Sequence, residues 1–423
     1  MRILLSAFYL SPFRGSEAGV GWRIAEGLSK KYDVTILCGD FTPGGITAGD
    51  LKKFRDQKLP TPNLEIHEIR ADKIAQILHK LHALPGMWFF YYLAYERWQR
   101  QALKLAQELH CRAPFDLAHH VNIIGFRQPG YLWKLGIPWF WGPIAGASMI
   151  PWGFFSMMSR AEQFRWGSRN LINSWQMRHS PRCIQAAKHA RRIWGVTPED
   201  CHMVSNLWKV PVESMLETGT TPVGQVAPRT YHDGEILKLA WSGLFQGRKA
   251  LPLLLEALAL VAQKNWELHI LGQGPEEKKW RAIAGNLGIS DHLRWHGLLE
   301  RNAALVKMNE CHLLVHSSVK EGTPHVVMEA LTLGLPVMCH DSCGMGTAVD
   351  AGSGIKVPLR NPMTSIAGFR HGLQGIFLNP SLIAKLSAGA IARASQLSWD
   401  TIIEKLSDAY EEELAQKALL FNL

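Results

Sequence analysis

Residues 237–271 read LKLAWSGLFQGRKALPLLLEALALVAQKNWELHIL and decide the fold. A strand-like apolar run from Leu237 to Ser242 is followed by helical spacing over 250–263 and by a second strand-like run over 267–271. Parallel strands need a crossover connection, usually a helix, so this segment predicts a βαβ unit. A parallel sheet is therefore the first expectation for this chain.

The same alternation extends over most of the sequence. In the second half it predicts helices over 276–287, 302–310 and 323–333, and strands over 292–297, 312–316 and 336–340. In the first half it predicts strands over 2–8, 32–38, 64–69, 117–121 and 137–141, with a helix over 19–30. Such alternation is typical of doubly wound parallel sheets. We predict an α/β protein with two Rossmann-like domains that face a cleft, where a ligand would bind by default.

A turn-rich stretch separates the two halves. From about Glu217 to Glu235 the chain is rich in Gly, Pro and Thr and has little periodic apolar pattern, which is typical of a linker. We therefore predict an N-terminal domain over 1–220 and a C-terminal domain over 235–395. A final helix over 396–423 is expected to pack back on the N-terminal domain.

The composition is that of a packed globular protein. Of the 423 residues, 47% are hydrophobic and 19% are charged, so a sizeable core can form. The seven cysteines contain no C-x-x-C pair, which favours reduced thiols over a disulfide framework or a zinc site. We predict no metal site.

Two apolar stretches raise the question of a membrane span. Pro12, Arg14 and Glu17 interrupt the N-terminal run too early for a signal peptide, so this run is better explained as a first strand. Residues 135–159 carry no charge, but three prolines and four glycines would break a helix there. We predict a cytoplasmic protein without a transmembrane helix.

The strongest local motif follows the strand predicted over 312–316. It reads Glu321-Gly-Thr-Pro-His-Val-Val-Met-Glu329. Thr323 is suited to cap a helix and Pro324 to its first turn, so free backbone amides and the helix dipole would offer an anion site there. The two carboxylates are suited to accept hydrogen bonds from sugar and ribose hydroxyls. The alternative is a solvated helix with two unrelated acids.

Together with the other motifs of the chain, this acid pair resembles the E-x7-E signature of retaining family 4 glycosyltransferases of GT-B fold. The likeness covers nearly the whole chain. It includes, in order, Gly15-Ser-Glu17, Trp241-Ser-Gly243 with Lys249, Leu271-Gly-Gln-Gly-Pro275 and Ser398-Trp399. The opening Gly-Ser-Glu-Ala-Gly-Val-Gly-Trp is also similar to a bacterial subgroup of that family.

The resemblance implies a role for each of these residues. Glu321 would hold the donor sugar, Glu329 would hold the ribose of the nucleotide, and Lys249 would neutralise the departing diphosphate. The donor would also contact small loop residues, namely Gly15, Ser16, Gly243, Gly272, Gly274, Gly322 and Thr323. The N-terminal domain would receive the acceptor and the C-terminal domain the nucleotide sugar. The family works without a divalent metal, so no cofactor is implied beyond the nucleotide-sugar substrate.

One departure from the family pattern concerns the cations. The family usually has Gly-Arg, with a Lys five positions after that Arg. Here Gly243 is followed by Leu244, while Lys249 keeps its expected place. Arg248 would supply the second cation from a shifted position, or it is a solvated loop residue.

The second open assignment is a histidine. Asp116-Leu-Ala-His119-His120 resembles the strand end at which the family places a histidine near the donor sugar. Only one of the two adjacent rings can face the cleft, because side chains alternate across a strand. We favour His120 as the catalytic histidine, with His119 as the alternative; a core histidine without a catalytic role is the structural explanation.

Positive charge concentrates in one window of the sequence. The net charge is +10, and residues 150–194 contain eight Lys or Arg, one acid and seven large aromatic residues. A second aromatic run occupies 87–93. This mixture suits an anionic membrane surface, where rings lie at headgroup level and cations meet phosphates. We predict peripheral attachment at the inner face of the membrane and a lipid-linked or polysaccharide acceptor. Buried aromatics with solvated arginines are the alternative, and no motif indicates nucleic acid.

The sequence thus predicts an enzyme that moves a sugar from a UDP- or GDP-sugar with retention of configuration. Two alternatives share the scaffold. One is a GT-B sugar-nucleotide epimerase. The other is a catalytically silent GT-B protein that acts as a scaffold or lipid-binding partner, which the departure at Leu244 favours.

Overall fold

The computed structural model describes residues 1–42, 44–57, 61–84, 86–221 and 224–421. Two parallel sheets, of seven and six strands, divide these residues into two α/β domains. This arrangement confirms the predicted fold class.

The N-terminal domain has the strand order β3-β2-β1-β4-β5-β6-β7. Its strands are β1 (Arg2–Ala7), β2 (Asp33–Asp40), β3 (Leu64–Arg70), β4 (Leu117–Asn122), β5 (Trp139–Ile144), β6 (Ala190–Gly195) and β7 (Glu213–Ser214). Its helices are α1 (Ser16–Ser29), α2 (Ile46–Asp56), α3 (Lys73–His82), α4 (Phe90–Arg112), α5 (Arg160–His179), α6 (Pro181–His189) and α7 (Pro198–Trp208).

The C-terminal domain has the strand order β10-β9-β8-β11-β12-β13. Its strands are β8 (Leu237–Ser242), β9 (Trp266–Leu271), β10 (Leu293–Gly297), β11 (Leu313–His316), β12 (Val337–His340) and β13 (Gly354–Val357). Its helices are α8 (Leu251–Ala259), α9 (Glu277–Asn286), α10 (Arg301–Asn309), α11 (His325–Thr332), α12 (Cys343–Ala348), α13 (Pro362–Leu378) and α14 (Ser381–Gln396), and the chain ends with α15 (Trp399–Phe421).

Central strands are buried on both faces. On β8, Leu237, Leu239 and Trp241 join one apolar cluster, while the intervening Ala240 joins the cluster on the opposite face. Alternate side chains point to opposite faces of a sheet, and helices cover both. Apart from Lys238 near its start, the strand is therefore mainly apolar in sequence.

The last helix lies against the N-terminal domain. α15 contacts α1, and the helices approach closely at Gly27, where a Cβ atom would lie 2.5 Å from Cγ1 of Ile403. The buried Tyr410 hydroxyl lies 2.5 Å from Nδ1 of His119. The chain therefore crosses between the domains twice, before β8 and before α15.

The two crossings are joined by backbone hydrogen bonds. The N–H of Thr220 donates to the carbonyl of Leu397 at 2.9 Å, and the N–H of Trp399 donates to the carbonyl of Thr220 at 3.1 Å. These hydrogen bonds hold the two connecting segments together. The predicted linker residue Pro222 lies outside the described residues.

Some predicted limits differ from the observed ones for local reasons. The predicted strand over 137–141 begins later, at Trp139, because Pro138 has no N–H and contributes only its carbonyl, which accepts from Ala118. The helix predicted over 250–263 begins at Leu251, since Ala250 has a φ of +46°. That left-handed residue separates the helix from the turn before it.

The lengths and hydropathies of the helices indicate whether one of them could span a membrane. Across the described ranges, no single helix is both long enough and apolar enough to span a bilayer. The pair α13 and α14 reaches that threshold only when joined, and the two helices are bent by 110° relative to each other.

Candidate active site

The candidate site lies where the strand order of the C-terminal sheet reverses. β8 pairs with β9 on one side and β11 on the other, so the loops after β8 and β11 diverge and leave a crevice. Lys249 and Arg248 follow β8, and Glu321 follows β11. The topology therefore brings together three predicted site residues that are far apart in the sequence.

Glu321 is held by two cations. Its Oε1 lies 2.5 Å from Nζ of Lys249, and its Oε2 lies 3.0 Å from Nη1 of Arg248. The Ser318 hydroxyl donates to Oε1 at 2.6 Å, and the His316 ring lies 3.7 Å away. Since the Glu321 side chain is only 10% exposed, this cluster is largely shielded from water.

Burial and neighbouring charge act in opposite directions here. Burial raises the pKa of Glu321, but the charge of Lys249, the His316 ring and the charge of Arg248 bring this pKa well below its usual range. Burial lowers the pKa of Lys249, and the Glu321 charge opposes that effect. The carboxylate and the cations therefore stabilise each other's charged forms.

Arg248 lies beside Glu321, and its side chain is 22% exposed. Besides its ion pair with Glu321, Arg248 donates from Nη1 to the carbonyl of Lys320 at 2.8 Å. Leu244, which stands where the family has its arginine, is 51% exposed. Of the two explanations for Arg248, the contacts favour a cation supplied from a shifted position over a solvated loop residue.

The turn that carries these cations is held from across the cleft. Gly247–Lys249 form a 3-10 turn, and the N–H of Gly247 donates to Oε1 of Glu162, on α5, at 2.8 Å. A Cβ atom on Gly247 would lie 2.5 Å from that carboxylate. Behind the turn, Ala250 packs in an apolar cluster with N-terminal residues that include Phe154. The N-terminal domain therefore helps to fix the turn that carries the cations.

The predicted donor glycines of this domain allow two loops to pack. A Cβ atom on Gly272 would lie 1.9 Å from the carbonyl oxygen of Gly243, and one on Gly274 would lie 2.7 Å from that of Phe245. Both glycines have positive φ. Their observed function is to let the loop after β9 cross the loop after β8, and their predicted contact with a nucleotide stays a prediction.

The start of α11 differs from expectation. The helix begins at His325, and Thr323 does not cap it; the prediction of a Thr323 cap was wrong. Instead, the N–H of Thr323 donates to Oε1 of Glu217 at 2.9 Å, and the N–H of Glu217 donates to the Thr323 hydroxyl at 3.3 Å. Gly322 makes room for this contact, because a Cβ atom there would lie 2.7 Å from Oε1. An amide of the predicted anion site is thus bonded to a carboxyl of the linker.

Glu329 lies on α11, after the start of the helix. Its Oε1 accepts from Nε of Arg301 at 2.7 Å. The Glu329 side chain is 23% exposed and that of Arg301 is 73% exposed. A partner this exposed can move away, so Glu329 is accessible to a ligand.

The loop after β1 faces the same region from the N-terminal domain. Gly15 and Ser16 are exposed at the start of α1, and Ser16 has a φ of +58°. The next residue, Glu17, accepts from the N–H of Ile124 at 3.2 Å. The charge of Glu17 acts on Glu217, as does that of Glu321. Acids from the loop, the linker and the C-terminal domain therefore converge in the cleft.

The two histidines lie on opposite faces of β4. His119 is fully buried, with Nε2 2.7 Å from the Gly142 carbonyl and Nδ1 bonded to Tyr410. His120 is 2% exposed, and neither of its ring nitrogens has a hydrogen-bond partner in the described chain. Burial lowers the pKa of His120 to about 4. Both rings are enclosed in this conformation, and the catalytic role predicted for His120 stays a prediction.

Three residues that make contacts across the cleft were not predicted from the sequence. These are Glu162, Glu217 and Lys320, whose Nζ donates to the carbonyl and the hydroxyl of Ser148. They carry no motif, and their role depends on how the two domains meet. Beside them a cavity of about 240 Å³ opens between the domains, with Glu199 and Asp341 in its lining.

Glu217→Gln is expected to be more stable than the unmodified protein, and its advantage is expected to grow as pH rises. Burial, followed by the charges of Glu17, Asp200 and Glu321, raises the pKa of Glu217 from 4.5 to about 8, against the opposing Thr323 hydrogen bond. Between these values the folded chain holds the proton more tightly than the unfolded chain, so stability falls as pH rises. Glutamine keeps the acceptor for Thr323 and does not ionise.

Thermal unfolding of Glu217→Gln and of the unmodified protein at about pH 5 and about pH 8 measures this effect. The advantage of the variant should grow between these pH values, towards a difference on the order of 2 kcal/mol in the free energy of unfolding. A difference that does not change with pH would show that Glu217 is ionised throughout.

Part of the chain, mainly the C-terminal domain, matches a known family. Residues 232–373 match the family model described as Glycosyl transferases group 1. The lipopolysaccharide 1,6-galactosyltransferase of Escherichia coli (strain K12) is 35% identical over 106 residues, which cover 25% of this chain and 29% of that protein. This chain covers less than a third of the length of the first curated relatives that it matches.

Solved structures extend the likeness to both domains. The lipopolysaccharide outer core galactosyltransferase WaaB superposes with a TM-score of 0.64 at 14% identity, over 98% of this chain and 100% of that one. HepE from Anabaena, in complex with UDP and glucose, superposes with a TM-score of 0.57 at 13% identity, over 97% of this chain and 100% of that one. The chain therefore has the two-domain GT-B fold of solved glycosyltransferases, with a match to the Glycosyl transferases group 1 family over residues 232–373.

Proposed function

We propose that this protein is a retaining glycosyltransferase that moves a sugar from a nucleoside diphosphate sugar to a lipid-linked or polysaccharide acceptor. The observation that carries the proposal is the buried Glu321 held by Lys249 and Arg248 at the point where the strand order reverses. The relatives agree with this chemistry. One is named as a lipopolysaccharide galactosyltransferase, and the solved HepE complex contains UDP and glucose.

The two cations are suited to the leaving group. Departure of a nucleoside diphosphate from a sugar places negative charge on the phosphate, and preorganised cations in a site shielded from water stabilise that charge. Lys249 and Arg248 are held in place before the donor binds, because Glu321 pairs with both. Glu321 would turn its oxygens to the donor sugar hydroxyls as the cations turn to the diphosphate.

Other residues would bind the rest of the donor. Glu329 would accept from the ribose hydroxyls once the exposed Arg301 moves aside. The exposed amides of Gly15 and Ser16 would approach the diphosphate from the N-terminal domain. The leaving phosphate would help to deprotonate the acceptor on the same face of the sugar, so retention needs no pair of catalytic carboxylates. No divalent metal is required in this scheme.

Arg248 also separates this proposal from its main rival. A catalytically silent scaffold was suggested by Leu244, since loss of one cation would weaken stabilisation of the leaving group. The ion pair of Arg248 with Glu321, at 3.0 Å, supplies that charge from a different position in the loop. This contact favours an active enzyme.

A panel of nucleotides tests the donor. UDP, GDP, ADP, CDP and their common sugar conjugates would be compared by their effect on the melting temperature, which rises for a ligand that binds only the folded state. We expect a clear rise with one nucleotide, with UDP or GDP as the candidates, and its loss in Glu329→Ala. The matched control is Glu310→Ala, which removes an exposed acid directly after α10. No rise with any nucleotide would support the silent scaffold.

Exposed apolar side chains support attachment to a membrane. An aromatic face, as we name it, combines Trp88, Phe89 and Leu93 at the start of α4 with Trp152 before α5 and Phe164, Leu171 and Trp175 on α5. Phe164 is 79% exposed and Trp175 is 64% exposed. Two other aromatic residues of the basic window, Phe154 and Trp194, are buried in the core, so the alternative explanation applies to those two. We propose that the aromatic face lies on an anionic bilayer at the inner face of the membrane.

Vesicle flotation tests this attachment. The double variant Phe164→Ser and Trp175→Ser should bind vesicles that contain phosphatidylglycerol on the order of a hundredfold less than the unmodified protein, because each removed side chain contributes on the order of 1.5 kcal/mol of apolar burial. The matched control is Met363→Ser with Leu378→Ser, which removes two equally exposed side chains from the C-terminal domain. Failure of the unmodified protein to float would contradict the attachment.

A further inference from the structure

Two arginines of the N-terminal domain lie near the cleft, outside the Glu321 cluster. Arg127 follows β4, and its Nε donates to Oε1 of Gln176 on α5. Its guanidinium carbon lies 4.6 Å from the ring centroid of Phe126 and 6.0 Å from that of Tyr92. Arg169 lies on α5, two helical turns before Gln176, and its guanidinium carbon lies 5.3 Å from the ring centroid of Trp166. The two positive side chains thus come from different elements and lie along the same side of α5.

Neither of these arginines has a neutralising partner. Over the described ranges, no carboxylate oxygen lies within 4.0 Å of Arg127 or Arg169. Their neighbours differ in this respect, since Arg182 pairs with Glu96 at 2.9 Å. Glu162, an acid of α5, is already bonded to the turn across the cleft and to Ser159. The described part of the chain therefore offers no carboxylate that balances the charge of either arginine.

Burial and neighbouring positive charge disfavour the charged form of both arginines. Burial lowers the pKa of Arg127, and the charge of Arg169 lowers it too. Burial likewise lowers the pKa of Arg169, as do the charges of Arg165 and Arg248. Because the charge of Arg248 also lowers the pKa of Arg169, the positive region of α5 extends towards the cations of the candidate active site. A bound anion would relieve this repulsion.

The surroundings of the arginines are apolar. Tyr92, on α4, lies at a ring distance of 6.0 Å from Trp88, which precedes that helix. The exposed Leu171 and Trp175 follow Arg169 on α5. Trp88, Leu171 and Trp175 belong to the aromatic face. A ligand at this place would therefore combine a negatively charged group with an apolar part.

We infer that Arg127 and Arg169 bind a phosphate group of the acceptor, and that the acceptor is an amphiphile whose apolar part lies on the aromatic face. The planar fork of a guanidinium matches the oxygens of a phosphate. The inference rests on the proposed function, because it names the acceptor class of the same cleft. It differs from general attraction to a membrane in assigning one phosphate to two named side chains.

Calorimetric titration of the full chain with decyl phosphate, below its critical micelle concentration, tests the inference. Decyl maltoside supplies the same apolar chain without the charge, and inorganic pyrophosphate supplies the charge without the chain. We expect decyl phosphate to bind best. Arg169→Gln should weaken its binding about tenfold, and the double variant with Arg127→Gln should weaken it further.

Matched measurements separate the inference from its rivals. Arg178→Gln removes an exposed arginine of the same helix that is bonded only within that helix, to Ser174, and it should bind decyl phosphate normally. The thermal shift caused by the donor nucleotide should also be unchanged in Arg169→Gln. Because Arg169 is more exposed than Arg127, this variant is expected to fold even if the variant at Arg127 does not.

Three outcomes would overturn the inference. They are equal binding of decyl phosphate and decyl maltoside, equal weakening by Arg178→Gln, and loss of nucleotide binding in Arg169→Gln with decyl phosphate binding retained. The last outcome would assign the arginines to the donor. A protein that binds no nucleotide but loses decyl phosphate in Arg169→Gln would instead refute the proposed function and keep the phosphate site.

Discussion

Replacing Lys249 by methionine is expected to lower the rate of sugar transfer by about 10²–10³-fold, the range seen when one preorganised electrostatic contact to a transition state is lost. Methionine keeps most of the apolar stem, which packs against Gly243, where a Cβ atom would lie 3.4 Å from the lysine chain. The change therefore removes charge with little change in volume. Initial rates of transfer from the donor identified by the nucleotide panel would measure the effect.

The control for this variant is another lysine of the same domain. Lys264→Met removes an exposed charge, remote from Glu321, whose Nζ donates to backbone carbonyls near the end of α8. It should transfer sugar at the normal rate. Equal rates for Lys249→Met and the unmodified protein would exclude Lys249 from the stabilisation of the leaving group.

Glu321→Gln is expected to abolish most transfer and also to destabilise the fold. The side chain is 10% exposed and stands between two cations. Removing one partner of a buried ion pair leaves the other charges uncompensated, which typically costs about 3–5 kcal/mol. Glutamine keeps the acceptor for the Ser318 hydroxyl, so the loss is mainly one of charge.

The pH dependence of this variant distinguishes a loss of charge from a loss of packing. Burial lowers the pKa of Lys249, and without Glu321 the charge that opposes this effect is gone. The folded variant then binds fewer protons than the unfolded chain, so its stability should recover as pH rises. Thermal unfolding at about pH 6 and about pH 9 should show the larger deficit at the lower pH. A deficit that is the same at both values would indicate a packing defect instead.

Periodicity predicted the C-terminal domain well because its elements are regular. The strand predicted from Leu237 to Ser242 is observed with those limits as β8, and β9 to β12 start within a residue of their predicted positions, whereas β13 was not predicted. Strands that are buried on both faces give uninterrupted apolar runs, and helices between them give a different period. Such signals are local and need no knowledge of the partner elements.

The N-terminal domain was less accessible to the same reasoning. Helix α5 was not predicted, because it is polar and aromatic around its circumference, with buried Asn170 and Asn173 and exposed Phe164 and Trp175. Its buried asparagines bond to backbone carbonyls of the loop after β5. An apolar stripe is the usual sequence signal of a packed helix, and here polar bonds replace it.

The site was predictable where motifs carry it and hidden where the domains meet. The resemblance to the family motifs assigned Glu321, Lys249 and Glu329 to the site, and the structure brings Glu321 and Lys249 into direct contact. The role of Glu217 could not be predicted, since it depends on a linker residue reaching the amide of Thr323 in the other domain. The Thr323 cap failed for the same reason, because the hydroxyl accepts from the linker.

The most direct test of the account is a product assay with the donor selected by the nucleotide panel, using the full chain, a lipid phosphate acceptor and nuclear magnetic resonance to follow the anomeric signal of the transferred sugar. We predict that the sugar is transferred with its original anomeric configuration, and that Lys249→Met slows this transfer while Lys264→Met does not. Transfer with inversion, or binding of the donor with no turnover in the unmodified protein, would contradict the account.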